Sequence, residues 1–164
     1  MQVAKLRGAE VTGVDRASKL EMMRGIGFDH VIDYQQEDFT KIGKCYDLIL
    51  DTKTNRSLFA YLRALTPGGT YVTVGGETAS LIQFLIVGGL MRLLTGKKIV
   101  VIKLKQNAHL DELKDCFEAG HLAPVIDGPY TLSDWQEAFR HFSTANHEGK
   151  VILTVPPESP VSSA

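Results

Sequence analysis

Short β-rich runs alternate with helical stretches along most of this chain, and few architectures accommodate such an alternation. Glu10–Val14 reads as a strand. Ser18–Ile26 reads as a helix, with Leu20, Met23 and Ile26 at helical spacing and Ser18 as its cap, and Asp29–Asp33 is a second strand. Glu37–Ile42 has the pattern of a short helix, and Tyr46–Leu50 is an apolar strand that ends in Asp51. Asn55 is the candidate cap of a helix reaching Leu65, where Pro67-Gly68-Gly69 stops it before a strand over Thr70–Val74. An apolar helix over Leu81–Leu94 and a strand over Lys98–Ile102 follow. Strands joined through helices cannot form hairpins, so they pair in parallel, and a parallel sheet needs both faces covered. The expected class is therefore α/β, a doubly wound parallel sheet.

The last third is less regular. Leu110–Ala119 is a helix ended by Gly120, Val125-Ile126 enters a turn at Asp127-Gly128-Pro129, Ser133 opens a helix through Phe142, and Gly149–Val155 is a final strand. The Pro/Ser-rich stretch 156–164 reads as a disordered tail, which makes 1–155 the folded part.

Composition narrows the partners. The 18 basic and 19 acidic residues are interleaved and give a formal net charge of −1, so nothing draws the chain to nucleic acid or to an anionic membrane. The Leu81–Leu94 run contains Gln83, Arg92 and a glycine pair and is shorter than the roughly 18 to 20 residues a membrane span needs. Cys45 and Cys116 lack C-x-x-C spacing, and the five histidines are scattered without ligand spacing, so no metal is expected. Lys5, Arg7 and Glu10 interrupt any apolar leader, and the expected location is cytoplasmic.

One position points to chemistry. A strand that ends in an acidic residue, here Val14-Asp15, is the pattern of the second strand of a dinucleotide fold, where the carboxylate binds the adenosine ribose. The accompanying G-x-G-x-x-G lies about 20 residues upstream of that residue. Only fourteen residues precede Asp15, and they contain no such motif. Met1–Arg7 reads instead as the end of a helix stopped by Gly8.

The segments Gln2–Asp15 (QVAKLRGAEVTGVD), Lys19–Glu21, Gly27–Tyr34 (GFDHVIDY), Tyr46–Asp51 (YDLILD) and Leu65–Gly69 (LTPGG) come in the order and spacing of a known family. Phe117–Asp127 (FEAGHLAPVID), Tyr130, Ala138-Phe139 and His147–Val155 continue the pattern. The chain thereby resembles the cofactor-binding part of the medium-chain dehydrogenase/reductase superfamily, in its zinc-independent, quinone oxidoreductase-like branch. The resemblance implies a Rossmann-like sheet and an NAD or NADP cofactor. Asp15 would hold the adenosine ribose and favour NAD, because a 2′-phosphate would meet like charge. Arg16, Lys19 and Tyr34 would pull toward NADP, since relatives that take it use Lys and Tyr at the last two positions. Asp51, Thr52 and Lys53, the Gly75-Gly76 pair, and Asn107 fall where relatives approach the nicotinamide side. No catalytic residue and no zinc ligand is assigned.

Taken singly, Lys19 reads as a solvated helix face, Tyr34 as strand-end packing and Gly75-Gly76 as a turn; their joint order carries the reading. In a sheet ordered 3-2-1-4-5-6 the first strand, which the sequence before Asp15 does not encode, would leave the Glu10 and Asp29 strands apart from those at Tyr46 and Thr70. Three functional classes follow. The first is the cofactor-binding part of an oxidoreductase acting on a carbonyl, enone or quinone. The second is a non-catalytic truncated module persisting as a homo-oligomer through the Lys98–Ile102 edge and the Leu81–Leu94 helix. The third, a methyltransferase, shares the alternation and the acidic strand end but is disfavoured by the segments after Gly75.

Overall fold

The computed structural model describes residues 1–74, 93–102 and 107–155. The element order is α1 Gln2–Leu6, β1 Thr12–Asp15, a 3-10 turn Ala17–Lys19, α2 Leu20–Gly25, β2 His30–Asp33, β3 Tyr46–Asp51, α3 Leu58–Arg63, β4 Leu65–Thr73, β5 Lys98–Val101, α4 Leu110–Glu118, β6 Ile126–Thr131, a 3-10 turn Leu132–Asp134, α5 Trp135–Ser143 and β7 Lys150–Thr154. The expected Leu81–Leu94 helix, apart from Leu93 and Leu94, and the 156–164 tail lie outside the described residues.

Among the described residues three sheets form: β1–β2, β3–β4–β5 and β6–β7. All are parallel. β4 runs with β3 and β5 so that Asp51, Thr73 and Val101 stand level at one end. In the first ladder Val11 O accepts from the Asp29 and His30 N–H groups and Asp15 O from Tyr34 N–H, which sets the same direction. Among the described residues β1 and β2 share no ladder with β3.

The chain divides into two compact units, Gly13–Ala17 with Val31–His109, and Met1–Thr12 with Ser18–His30 and Leu110–Ala164. The first owns a dense core. Leu58, Tyr61 and Leu62 of α3 pack with Ile49 of β3 and with Leu65 and Tyr71 of β4, and Phe39, Tyr46 and Ile99 close the margin. Tyr61 and Tyr71 stack at 4.6 Å between ring centroids, and Phe39 meets Tyr46 edge-on at 6.0 Å. Large planar side chains of this kind bury some 150 to 250 Å² each and fix one another's orientation.

The second unit is tied mainly by polar groups. The Gln2 side chain donates to Ala123 O and accepts from Ala123 N–H, both at 3.0 Å. Lys5 Nζ reaches Asp29 Oδ1 at 2.6 Å, while Asp29 Oδ2 accepts from Val11 N–H at 2.7 Å. At β6–β7, Asp127 Oδ2 accepts from the Glu148 N–H and pairs with His141 Nε2 at 2.8 Å. Gly149, with φ +131°, lies so near Val125 that an added Cβ would stand 2.3 Å from the Val125 carbonyl oxygen, so the approach of these segments requires glycine.

Several boundaries differ from the expected ones, each for a local reason. Glu37–Ile42 is not helical: Asp38 Oδ1 accepts from both Thr40 N–H and Thr40 Oγ1, a side-chain turn that competes with helix. Ser57, not Asn55, caps α3, its Oγ accepting from Ala60 N–H. That helix ends at Arg63 rather than Leu65, because buried Leu65 already belongs to β4, and Pro67-Gly68-Gly69 is absorbed as a register irregularity within the strand. Ser18 sits inside the 3-10 turn and α2 starts at Leu20 without a side-chain cap. Thr131, not Ser133, provides the cap ahead of α5, in a reciprocal box with Asp134. β6 continues through Asp127-Gly128-Pro129, because the cis Gly128-Pro129 stretch stays paired with β7 on both sides.

Candidate dinucleotide-binding site

In open parallel sheets ligands collect at the carboxyl ends of strands, where loops leave for the next helix. That end of the first unit gathers most of the residues singled out by the sequence. Asp15 closes β1, and the hydrogen bond from Tyr34 N–H to Asp15 O at 3.1 Å sets Tyr34 directly beside it. Asp15 Oδ1 accepts from the Arg16 N–H at 2.8 Å, which turns the carboxylate into the loop that follows β1. Asp15 and Arg16 are half-buried, and the Tyr34 ring is 43% exposed. The Asp15 carboxylate and the backbones of Arg16 and Tyr34 meet at one strand end. Lys19 ends the 3-10 turn and precedes α2 in the other unit, where it is half-buried.

At β3 and β4 the pairing also runs one residue past the strands, with Val74 N–H donating to Asp51 O at 3.1 Å. Thr52 and Lys53 are exposed, whereas the Asp51 carboxylate is buried. It accepts from Lys53 N–H and Thr54 N–H, both at 2.9 Å, and from Tyr71 Oη at 2.8 Å, with the Tyr61 hydroxyl as a further donor. Burial opposes its charge, but these donors outweigh burial and hold the Asp51 carboxyl below the ordinary carboxylate range. Burial first, and the facing carboxylate second, push the Tyr61 and Tyr71 hydroxyls well above the usual phenol range. The network therefore stays charged at Asp51 and protonated at both tyrosines through neutral pH.

What this anion organises is a turn. Thr54 adopts φ +49°, an uncommon conformation for a residue with a Cβ, and is held there by Asp51 Oδ1 and by a 2.8 Å hydrogen bond between its Oγ1 and that of fully buried Thr73. Thr52 and Lys53 are thus presented on a fixed backbone. Gly75 and Gly76, which follow Val74 in the chain, lie outside the described residues. Asn107 is exposed with φ +55° in the same unit.

The supports of Asp51 escaped the sequence reading. Their signal was present: Tyr71 and Thr73 alternate on the same face of β4 as Leu65 and Gly69, and two polar side chains on a buried face imply a buried polar partner. Histidines are already engaged elsewhere, His30 with Glu10 and His141 with Asp127, and among the described residues no three His, Cys, Asp or Glu side chains come together as a metal site. Nor, among the described residues, is any helix long and apolar enough to cross a membrane.

Comparison with known proteins places these features. Residues 26–153 match the family described as zinc-binding dehydrogenase. The chain is 30% identical over 177 residues to a mitochondrial NAD(P)H oxidoreductase of Mus musculus, covering 94% of this chain and 44% of that protein. It is 30% identical over 165 residues to the polyketide synthase GfsB of Streptomyces halstedii, covering 96% of this chain and 3% of that protein. The solved quinone oxidoreductase of Coxiella burnetii has the same fold, with a TM-score of 0.74 at 20% identity over 93% of this chain and 47% of that one. The chain spans less than half the length of each of these proteins.

Proposed function

Because the chain belongs to the zinc-binding dehydrogenase family, we propose that it supplies the dinucleotide-binding side of an NAD(P)-dependent oxidoreductase that reduces a carbonyl, enone or quinone. The observation that carries this reading is that Asp15, Arg16 and Tyr34, and separately the Asp51–Thr54 turn, each follow the carboxyl end of a parallel strand. Bound there, a nicotinamide would supply the hydride, and the chain's own residues would position it. Asp15 accepts the adenosine ribose hydroxyls, Tyr34 offers an open ring beside the adenosine, and Arg16 provides positive charge near its phosphates. Thr52, Lys53, Gly75, Gly76 and Asn107 form the nicotinamide side. Asp51 acts as a positioning residue: its carboxylate is spent on the protein, and it serves the site by holding the backbone of residues 52–54.

A zinc centre is not part of this reading: among the described residues His30 and His141 are already paired with Glu10 and Asp127, the Cys45 and Cys116 thiols are separate, and no step is assigned to a metal. NAD is the favoured dinucleotide, since the carboxylate at Asp15 opposes a 2′-phosphate.

The β6–α5–β7 segment is proposed as the return to a substrate-binding domain, and the parent protein as a homo-oligomer. β5 ends the described order of its sheet with Val100 and Val101 exposed, an edge suited to pairing with a second copy. This reading also serves the alternative of a non-catalytic module that persists as an oligomer. Dinucleotide binding separates the two. In calorimetric titration, Asp15→Ser should raise the preference for NADPH over NADH by about tenfold, or about 1.4 kcal/mol. An unchanged preference would make Asp15 an ordinary strand-end residue.

A further inference from the structure

The Asp51 carboxylate and three hydroxyl groups close a ring of hydrogen bonds. Asp51 Oδ1 accepts from Thr54 N–H at 2.9 Å, and Asp51 Oδ2 accepts from Tyr71 Oη at 2.8 Å. The Tyr71 oxygen in turn accepts from the Thr73 hydroxyl, and Thr73 Oγ1 lies 2.8 Å from Thr54 Oγ1. Each hydroxyl has a single proton, so the direction of every bond is fixed. A carboxylate only accepts, which commits the Tyr71 proton to Asp51. The Thr73 proton is then committed to Tyr71, and Thr54 must donate to Thr73. The ring runs from Thr54 through Thr73 and Tyr71 to Asp51 and closes through the Thr54 N–H. Bonds aligned head to tail on an anion polarise one another, and Tyr71 and Thr73 are both fully buried, where little water competes.

Thr73 ties three strand ends together. It stands level with Asp51 of β3, it closes β4, and its carbonyl accepts at 2.9 Å from the N–H of Ile102, the residue after β5. Thr54 is the half-buried member of the ring, with its backbone at φ +49°. Glycine adopts that conformation without cost, whereas a branched Cβ works against it, so what threonine adds at this position is its hydroxyl. We propose that Thr54 and Thr73 are positioning residues for the nicotinamide half of the dinucleotide, their linked hydroxyls locking the 52–54 turn to the ends of β4 and β5. The inference rests on the reading of this turn as part of a dinucleotide site. It adds that the fixity of the turn, carried by hydroxyls, sets affinity on the nicotinamide side alone.

NADH and ADP-ribose, which lacks the nicotinamide, separate that effect from a general loss of structure. In calorimetric titration Thr54→Gly should bind NADH about fivefold more weakly, the equivalent of one lost hydrogen bond, with its affinity for ADP-ribose unchanged. Thr54→Ser, which keeps the hydroxyl and removes only the branching methyl, should return NADH affinity to the parent value. Thr73→Val removes the proton that Tyr71 accepts and should reproduce the selective loss; if it does not fold, the glycine and serine variants at Thr54 decide alone. A glycine variant that binds NADH as the parent does, a serine variant that fails to restore binding, or an equal loss for both ligands would overturn the inference. A parent chain that binds NADH no tighter than ADP-ribose would refute the nicotinamide-side placement of the turn, and this inference with it, while leaving Asp15 its role. One that binds neither ligand would refute the dinucleotide reading itself.

Discussion

β4 and β7 are each the parallel partner of an earlier strand, yet Tyr71 in β4 is 0% exposed, whereas Trp135, Phe139 and Phe142 on the helix before β7 are 49%, 61% and 58% exposed. The first region spends its aromatics inward, stacking Tyr61 on Tyr71 around the charged Asp51. The second spends polar groups instead: the Thr131–Asp134 box, the Asp127–His141 pair and Thr154 Oγ1 donating to Tyr130 O hold β6, α5 and β7 together while Ala138 alone of α5 is buried. One backbone geometry is therefore stabilised by burial in one place and by side-chain clips in the other. The burial-stabilised region is the one that fixes the candidate site, because the anion that orders the 52–54 turn is also a partner of the core tyrosines.

The sharpest way to break this contrast is Tyr71→Ala, which empties the centre of the core and removes a donor to Asp51. A cost of about 3 to 5 kcal/mol is expected, read in denaturant unfolding, with Tyr71→Phe costing about 1 kcal/mol because the stack survives. A small effect of the alanine variant would mean that the region is not held by burial.

Asp51→Asn is next, at about 2 to 4 kcal/mol. Its acid behaviour has a definite sign. A carboxyl held below its unfolded value contributes stability that is fully present above about pH 5 and is lost as pH falls through about 4 and below. The parent chain should show this acid limb in its melting temperature, and the asparagine variant should show a flatter one. Because Thr52 and Lys53 hang on the same turn, the variant should also weaken NADH binding at temperatures where it remains folded.

In the second region the smallest side chain is the test. Gly149→Ala forces a Cβ into the Val125 backbone and adds strain at φ +131°, a cost of about 1 to 3 kcal/mol. Hydrogen exchange should quicken at Ile126–Thr131 and Lys150–Thr154 and stay unchanged at Leu48–Leu50.

The alternation of periods made the α/β class and the parallel ladders legible, and strand-end acids marked Asp15 and Asp51. Helix starts were less legible, since Asn55, Ser57, Ser18 and Ser133 are equally able caps in sequence, and tertiary burial of Leu58 and Leu65 decides where α3 begins and ends. The opposite destinies of two strand-end carboxylates were not legible either. Asp15 lies half-buried beside Tyr34, whereas Asp51 is claimed by Tyr61 and Tyr71, which are distant in sequence and become its neighbours only when α3 and β4 pack.

The most direct test of the central claim is a titration of the isotope-labelled chain with NADH, followed residue by residue through its amide resonances. The account predicts shifts at Asp15, Arg16, Tyr34, Thr52, Lys53 and Thr54, the carboxyl ends of β1, β2 and β3, with Ile126–Thr154 unmoved. Shifts confined to Ile126–Thr154, or none at Asp15 and Tyr34 when binding is saturated, would contradict it.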